Sequence, residues 1–412
     1  MNKIFRQIIP WLILGVIIRL VLMPITLHPD LWAISFSEFF FAFRGVTNIY
    51  DYLASLPTSS ALVTNYGQNF FSYPPLAYFT LGIFGFILKP FYNSDFLANL
   101  ANNLPYILDD KRLYWQLFLT KFPYLFWDLG VLVLLAQFFE DKRKKILALI
   151  LWLFNPLSVY TSFMIGQFDI IPVFFTLLSL FLVKKKHPFW AAFSLGVGGA
   201  YKMFPLFFLP FLAVIEGKNL IDKLKLFLVG LSPYAISILP FVSSPSFRQT
   251  VLFSNQSQKM LFAKIPISGA EYLSVFVLFY VFLLIMSAVK EVDLWKYFTM
   301  VMLLFFSITH YHPQWFLWLS PFLVILWVKE KKYKLAVSIL LACWFLITLF
   351  FEPSLSISLF APNDKSLANI NPLSEVMGQY FDVFQFKSLV RSVFAGTCLA
   401  LSALLLTKDE VV

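Results

Sequence analysis

Four short stretches hold the residue types that could do chemistry. In His28-Pro29-Asp30 an acid follows the first apolar run. Gly166-Gln167-Phe168-Asp169 puts an amide and a second acid between two apolar runs. Lys202 ends a glycine-rich, half-length run, "GVGGAYK". Two of the four histidines, His310 and His312, fall within three residues of each other in "THYHPQW", two residues ahead of Gln314. A carboxylate such as Asp30 can take a proton from a hydroxyl. A lysine is a ready phosphate ligand, and a neutral or protonated histidine can contact a phosphate or a sugar hydroxyl. Each stretch also has a plainer reading. Asp30 can cap the helix that follows. Gln167 and Asp169 can be a polar turn that Gly166 makes tight. Lys202 can extend to the membrane surface. A histidine pair alone does not hold a metal, which needs further ligands, and none is expected here.

The elements that must position these residues are membrane helices. The chain has 412 residues, of which 59% are hydrophobic and only 13% charged. Soluble domains carry roughly 25% charged residues. The net charge of +10 does not imply nucleic acid, because the basic residues sit at the ends of apolar runs and read as topology signals. Apolar runs begin near residues 8, 73, 114, 146, 170, 189, 205, 226, 271, 296, 314, 333 and 388. The first carries no small-residue cleavage site after it and reads as an uncleaved anchor. The basic clusters, chiefly Lys142-Arg143-Lys144-Lys145, Lys184-Lys185-Lys186 and Lys329 to Lys334, with a last lysine at Lys408, mark the cytoplasmic side. That assignment works only if the run at 73–93 does not cross. It opens on Tyr73-Pro74-Pro75 and is read as an interfacial or re-entrant helix. The expectation is an all-α polytopic membrane protein of about twelve spans. It would be a single domain over 1–412 with no soluble domain, and long outer segments at 27–113 and 353–386. The four stretches above then all fall on the outer side.

Several local expectations follow. "LHPDLWAISFSEFF" reads as an amphipathic helix with Glu38 and Arg44 along it. Trp315 and Trp318 read as interface anchors. Intramembrane ions pair, so Arg19 and Asp128 are expected to meet, and reversing both charges should restore what either single change loses. Lys121 is expected to join Lys202 at a phosphate. Cys343 and Cys398 lie in apolar runs and read as packing residues.

Taken in order, these stretches resemble the GT-C superfamily of integral membrane glycosyltransferases. The closer resemblance is to the branch that uses polyprenyl-phosphate-linked mannose, near the bacterial polyprenyl-phosphomannose-dependent and GPI mannosyltransferase-related proteins. It rests on Asp30 after the first span, Tyr73-Pro74-Pro75-Leu76, and Lys121-Phe122-Pro123 with Asp128 downstream. It rests also on Asn155-Pro156 followed by Gly166-Gln167-Phe168-Asp169, Lys202 before Phe204-Pro205, and His312-Pro313-Gln314. The resemblance implies inverting sugar transfer at the outer face of a bacterial cell membrane, from a polyprenyl-phosphate sugar to a glycan or glycolipid acceptor. Asp30 takes the place of the general base. Lys202, Lys121 and His312 take the donor phosphate. Asp169, Gln167, Tyr73, His310 and Gln314 take the sugar or acceptor. Many relatives have two adjacent acids where this chain has Asp30-Leu31, which lowers the expectation of a metal further. No cofactor beyond the lipid-phosphate donor is implied.

The chemistry agrees with the residues. A lipid-phosphate donor must meet its acceptor at the bilayer surface, and charge developing on the leaving phosphate is stabilised by fixed cations. The competing readings are a transporter or lipid flippase, which would place ionisable groups near mid-membrane in two related halves, and a membrane acyltransferase with His310 or His312 as base.

Overall fold

A computed structural model describes residues 3–407, and Lys408 lies outside the described residues. The chain is a helical bundle. Six helices are long and apolar enough to cross a membrane: Arg6–Ile25, Leu113–Ala136, Lys142–Ile165, Leu220–Phe241, Lys331–Leu349 and Val383–Leu406. At 1.5 Å per residue, 19 to 24 residues reach about 28–36 Å. Their outward faces are apolar, as with Ile13, Ile17 and Val21 on the first helix and Leu389, Val393 and Leu399 on the last. Such faces suit lipid and not water.

Of the about twelve spans expected, six have helices of that length. The other apolar helices are only 10–17 residues long, and proline interrupts two of them. Phe204–Phe208 and Pro313–Trp318 form 3₁₀ turns before the α-helices Leu209–Glu216 and Ser320–Lys329 begin. The all-α expectation needs one exception. In the 242–274 connection, Lys264–Pro266 pairs antiparallel with Tyr272–Ser274. Cys343 and Cys398 are buried free thiols.

The Asp30–Arg44 helix is not amphipathic. Residues Leu31 to Phe40 are all buried, because the Pro75–Leu88 helix lies across it. Two glycines allow that contact: a Cβ at Gly82 would meet the Phe41 ring at 2.3 Å, and one at Gly85 would meet Glu38 Cβ at 2.7 Å. Lys89 Nζ then donates to the Ala42 carbonyl near the end of the helix (2.9 Å). Glu38, expected on an exposed face, is buried, with one oxygen accepting from Tyr92 Oη (2.6 Å). Burial pushes its carboxyl well above the usual range.

Arg19 and Asp128 meet as expected. Arg19 Nε donates to Asp128 Oδ2 at 2.8 Å, with both side chains about 1% exposed. The guanidinium also donates to the carbonyls of Leu153 (2.6 Å) and Gly15 (3.0 Å), and Asp128 Oδ1 accepts from Ser158 and Trp152. These extra partners correct one expectation. An aspartate at 19 has no N–H for the Leu153 and Gly15 carbonyls, and an arginine at 128 cannot accept from Ser158 and Trp152, so charge reversal should not rescue. Removing one partner of a buried pair costs about 3–5 kcal/mol. Arg19→Met should lower the melting temperature in detergent strongly, and Arg19→Met/Asp128→Asn should recover most of the loss. Arg19→Asp/Asp128→Arg should stay destabilised. An unchanged melting temperature for Arg19→Met would contradict this account of the pair.

Candidate active site

The first helix ends at Ile25, and the Leu27 N–H donates to the Leu359 carbonyl (2.8 Å). This bond ties the turn carrying His28-Pro29-Asp30 to the 353–386 segment. Asp30 opens the next helix, and its N–H donates to His28 Nδ1 (3.1 Å). Its carboxylate faces a cavity and is 40% exposed. Oδ2 accepts from Gln167 Nε2 (2.8 Å) and from Gln314 Nε2 (3.4 Å). Two amides from distant segments thus hold one oxygen, and Oδ1 has no protein hydrogen-bond partner among the described residues.

The turn that supplies Gln167 is built from a broken helix. Asn155 Oδ1 accepts from the N–H groups of Leu157 and Ser158, and the chain then widens into a π-turn over Val159–Ile165. π-turns recur at functional positions. Gly166 ends it at φ +87°, and the N–H groups of Gly166 and Gln167 both donate to the Thr161 carbonyl. A Cβ at Gly166 would lie 2.4 Å from Leu31 Cδ1. Glycine is therefore required twice here, for backbone conformation and for closeness to the helix of Asp30.

Asp169 follows on the same turn and is fully buried. Its Oδ2 accepts from Lys202 Nζ at 2.6 Å, and its Oδ1 from Trp318 Nε1 at 2.5 Å. It does not line the cavity. Its position is that of a carboxylate fixing Lys202, which differs from the sugar contact expected of it. Lys202 does line the cavity, with its ammonium about 5 Å from the centroids of the Tyr73 and Phe168 rings. An ammonium over aromatic faces gains a cation–π contribution. Tyr73 Oη in turn reaches Gln167 (3.3 Å to Nε2).

The cavity holds about 410 Å³, and Asp30, Tyr73, Gln167, Lys202, His312 and Gln314 all line it. That volume suits a small polar ligand such as a sugar headgroup. One wall is an aromatic stack. Phe204 and Trp318 lie parallel at 4.5 Å, and Trp315 and Trp318 at 5.2 Å. These tryptophans, expected as interface anchors, instead shape the site. Burial pushes the His312 ring down to about 4, with Lys259 adding to the shift, so the ring is neutral at pH 7 and offers one N–H. Burial also lowers His28.

Two expected ligands stand elsewhere. Lys121 Nζ is turned away from the cavity and donates to the carbonyls of Met23 (2.9 Å) and Thr26 (2.5 Å). It straps the end of the first helix. His310 lies outside the cavity lining, against Phe351 and Arg391. Sequence reasoning also missed Ser254, Gln256, Ser257 and Glu352, which line the cavity from two long connections. No motif marked them. Among the described residues no cluster of three His, Cys, Asp or Glu side chains is placed to hold a metal.

A family model described as Glycosyltransferase family 87 matches residues 70–307, more than half of the chain. The match includes Tyr73, Gln167, Asp169 and Lys202 and leaves Asp30 and His312 outside it. No curated protein matches the chain.

Gly166→Ala combines a left-handed backbone with a clash against Leu31. It should cost about 1–3 kcal/mol of stability and displace Gln167 from Asp30. A lower melting temperature in detergent is the expected outcome. Wild-type stability in Gly166→Ala would contradict the geometry of the turn.

Proposed function

The chain belongs to glycosyltransferase family 87, and on that premise we propose that it transfers a sugar, most simply mannose, from a polyprenyl-phosphate donor to a hydroxyl of a glycan or glycolipid acceptor. The reading places it in the GT-C class, with its site at the outer face of the membrane. The basic runs support this side. Lys144 reaches the Lys329 carbonyl (3.2 Å) and Lys184 the Gln137 carbonyl (2.9 Å). These runs therefore gather at one end of the bundle. The Lys142–Ile165 helix then spans to Gln167 at the other end, and basic ends face the cytoplasm.

The observation that carries the reading is the Asp30 carboxylate, which two amides hold through Oδ2 and which lines the same cavity as Lys202. In the proposed step Oδ1 takes the proton of the acceptor hydroxyl. The acceptor oxygen bonds to the anomeric carbon as the bond from that carbon to the phosphate oxygen breaks. The lipid phosphate leaves with the electron pair. Base on one side of the sugar and leaving group on the other is the geometry of inversion. Lys202 spends one N–H on Asp169 and has two more for the phosphate, where negative charge grows in the transition state. The aromatic wall of Trp315 and Trp318 supplies an apolar face for the sugar. The intramembrane charges favour transfer over transport, since Arg19 and Asp128 close on each other and do not line this cavity.

Purified protein in proteoliposomes should move labelled mannose from polyprenyl phosphate to an acceptor lipid. A general base contributes about 10²–10⁴-fold, so Asp30→Asn should lose at least a hundredfold in rate and keep donor affinity. Lys202→Ala should raise the donor KM. Full activity in Asp30→Asn would remove the base assignment, and donor that crosses the bilayer unchanged would favour a flippase.

A further inference from the structure

A second cavity lies at the other end of the bundle from Asp30. The helix Ile170–Lys184 starts beside Asp169 and ends at this cavity, so its 15 residues set the two about 22 Å apart along its axis. The second cavity holds about 650 Å³, within the range of small-ligand sites. Helix ends converge on it. Lys184, Glu216 and Lys329 each close an apolar helix, and Glu291 lies on the connection from Val275–Val289 to Leu294–Ile308. None of these side chains lines the cavity of Asp30.

The lining carries both signs of charge. Lys184 Nζ donates to the Gln137 carbonyl (2.9 Å) and lies 3.9 Å from Glu140. Lys329 Nζ lies 5.2 Å from the centroid of the Trp295 ring. An ammonium has three donors, so both lysines keep N–H groups for an anion. Of the acids, Asp293 accepts from Trp295 Nε1 (3.1 Å). Glu216 is half-buried and Glu291 exposed, and neither has a side-chain hydrogen bond or ion pair among the described residues. Lys329 shares the cavity with both and pairs with neither. A carboxylate partly out of water is stabilised when a cation reaches it. Opposite charges held apart in one cavity therefore fit a ligand that carries both. The rest of the wall is apolar, with Phe138, Phe181, Ile215 and Leu294.

The surroundings identify that ligand as a lipid. Val289 stands two residues before Glu291, Leu220 stands four residues after Glu216, and both are exposed. Such positions suit acyl chains and not water. We propose that this cavity binds the headgroup of an aminophospholipid, with its phosphate on Lys184 and Lys329 and its primary ammonium on Glu216 and Glu291. A primary ammonium donates three hydrogen bonds to carboxylates, and the quaternary ammonium of a choline lipid donates none. An anionic headgroup brings negative charge alone to a cavity that three acids line. The site thus selects phosphatidylethanolamine over phosphatidylcholine and phosphatidylglycerol. It goes beyond sugar transfer and does not rest on it.

The test uses the full chain in phosphatidylcholine nanodiscs that hold a trace of phosphatidylethanolamine with a photoreactive acyl chain. Peptide mass spectrometry reads where it attaches. Label is expected on the peptides of Ile215 and Glu216 and of Glu291 to Leu294. Unlabelled phosphatidylethanolamine should displace it, and added phosphatidylglycerol should not. An ion pair at such a site is worth about fivefold in affinity, so Glu216→Gln/Glu291→Gln should lose roughly twenty-fivefold. Lys329→Gln should lose about fivefold, and Asp30→Asn at the other end should label as wild type. Glu291→Gln alone, on an exposed connection, should lose about fivefold and serves if the double variant does not fold. Unchanged labelling in a folded double variant would overturn the proposal. Equal displacement by phosphatidylglycerol would mean that the ammonium is not read, and equal displacement by soluble phosphoethanolamine would mean that the lipid is not. Loss in Asp30→Asn would move the lipid to the other cavity. Each of these outcomes also overturns it. Labelling is read without turnover, so a failed transfer assay bears on the proposed function and leaves this measurement interpretable.

Discussion

A carboxylate with no exposure must be matched where it stands, and Asp169 is matched by Lys202 on one oxygen and Trp318 on the other. A buried charge without partners costs several kcal/mol, so this triad fixes three segments relative to one another. The turn after the π-turn, the end of the glycine-rich helix and the 3₁₀ turn at Pro313–Trp318 are drawn to one point. Gln167 is held because Asp169 is held, and Asp30 is oriented because Gln167 and Gln314 reach it. The site is thus a consequence of neutralising one buried acid.

The same constraint explains where helices break. Irregular backbone inside a membrane protein is tolerated where protein covers it or a cavity receives its polar groups. The breaks at Asn155-Pro156, Phe204-Pro205 and His312-Pro313 each supply groups to the cavity or to its aromatic wall. The long helices carry apolar faces outward. The spans position the site, and the breaks in and between them furnish it.

Much of this was legible in the sequence, for physical reasons. Hydropathy and basic runs mark membrane helices and their ends. Asp30, Gln167, Lys202, His312 and Gln314, far apart in the chain, share one cavity because topology sends their segments to one end. What sequence could not convey is direction. Lys121 and Lys202 look alike in a string, yet one turns back to the Met23 and Thr26 carbonyls while the other meets Asp169. The span count was legible only in part, because a run's apolarity does not fix the length of its helix. The Asp30–Arg44 helix looked amphipathic because its cover, packed through Gly82 and Gly85, lies forty residues on.

The most direct measurement of the central claim is the anomeric configuration of the transferred sugar, read by NMR on product made from a donor of known configuration. If the Asp30 carboxylate acts as a base on the acceptor while the lipid phosphate leaves opposite, the sugar inverts in one displacement. The account predicts the opposite configuration to the donor's. Retention would require a covalent intermediate or a different arrangement, and would contradict it.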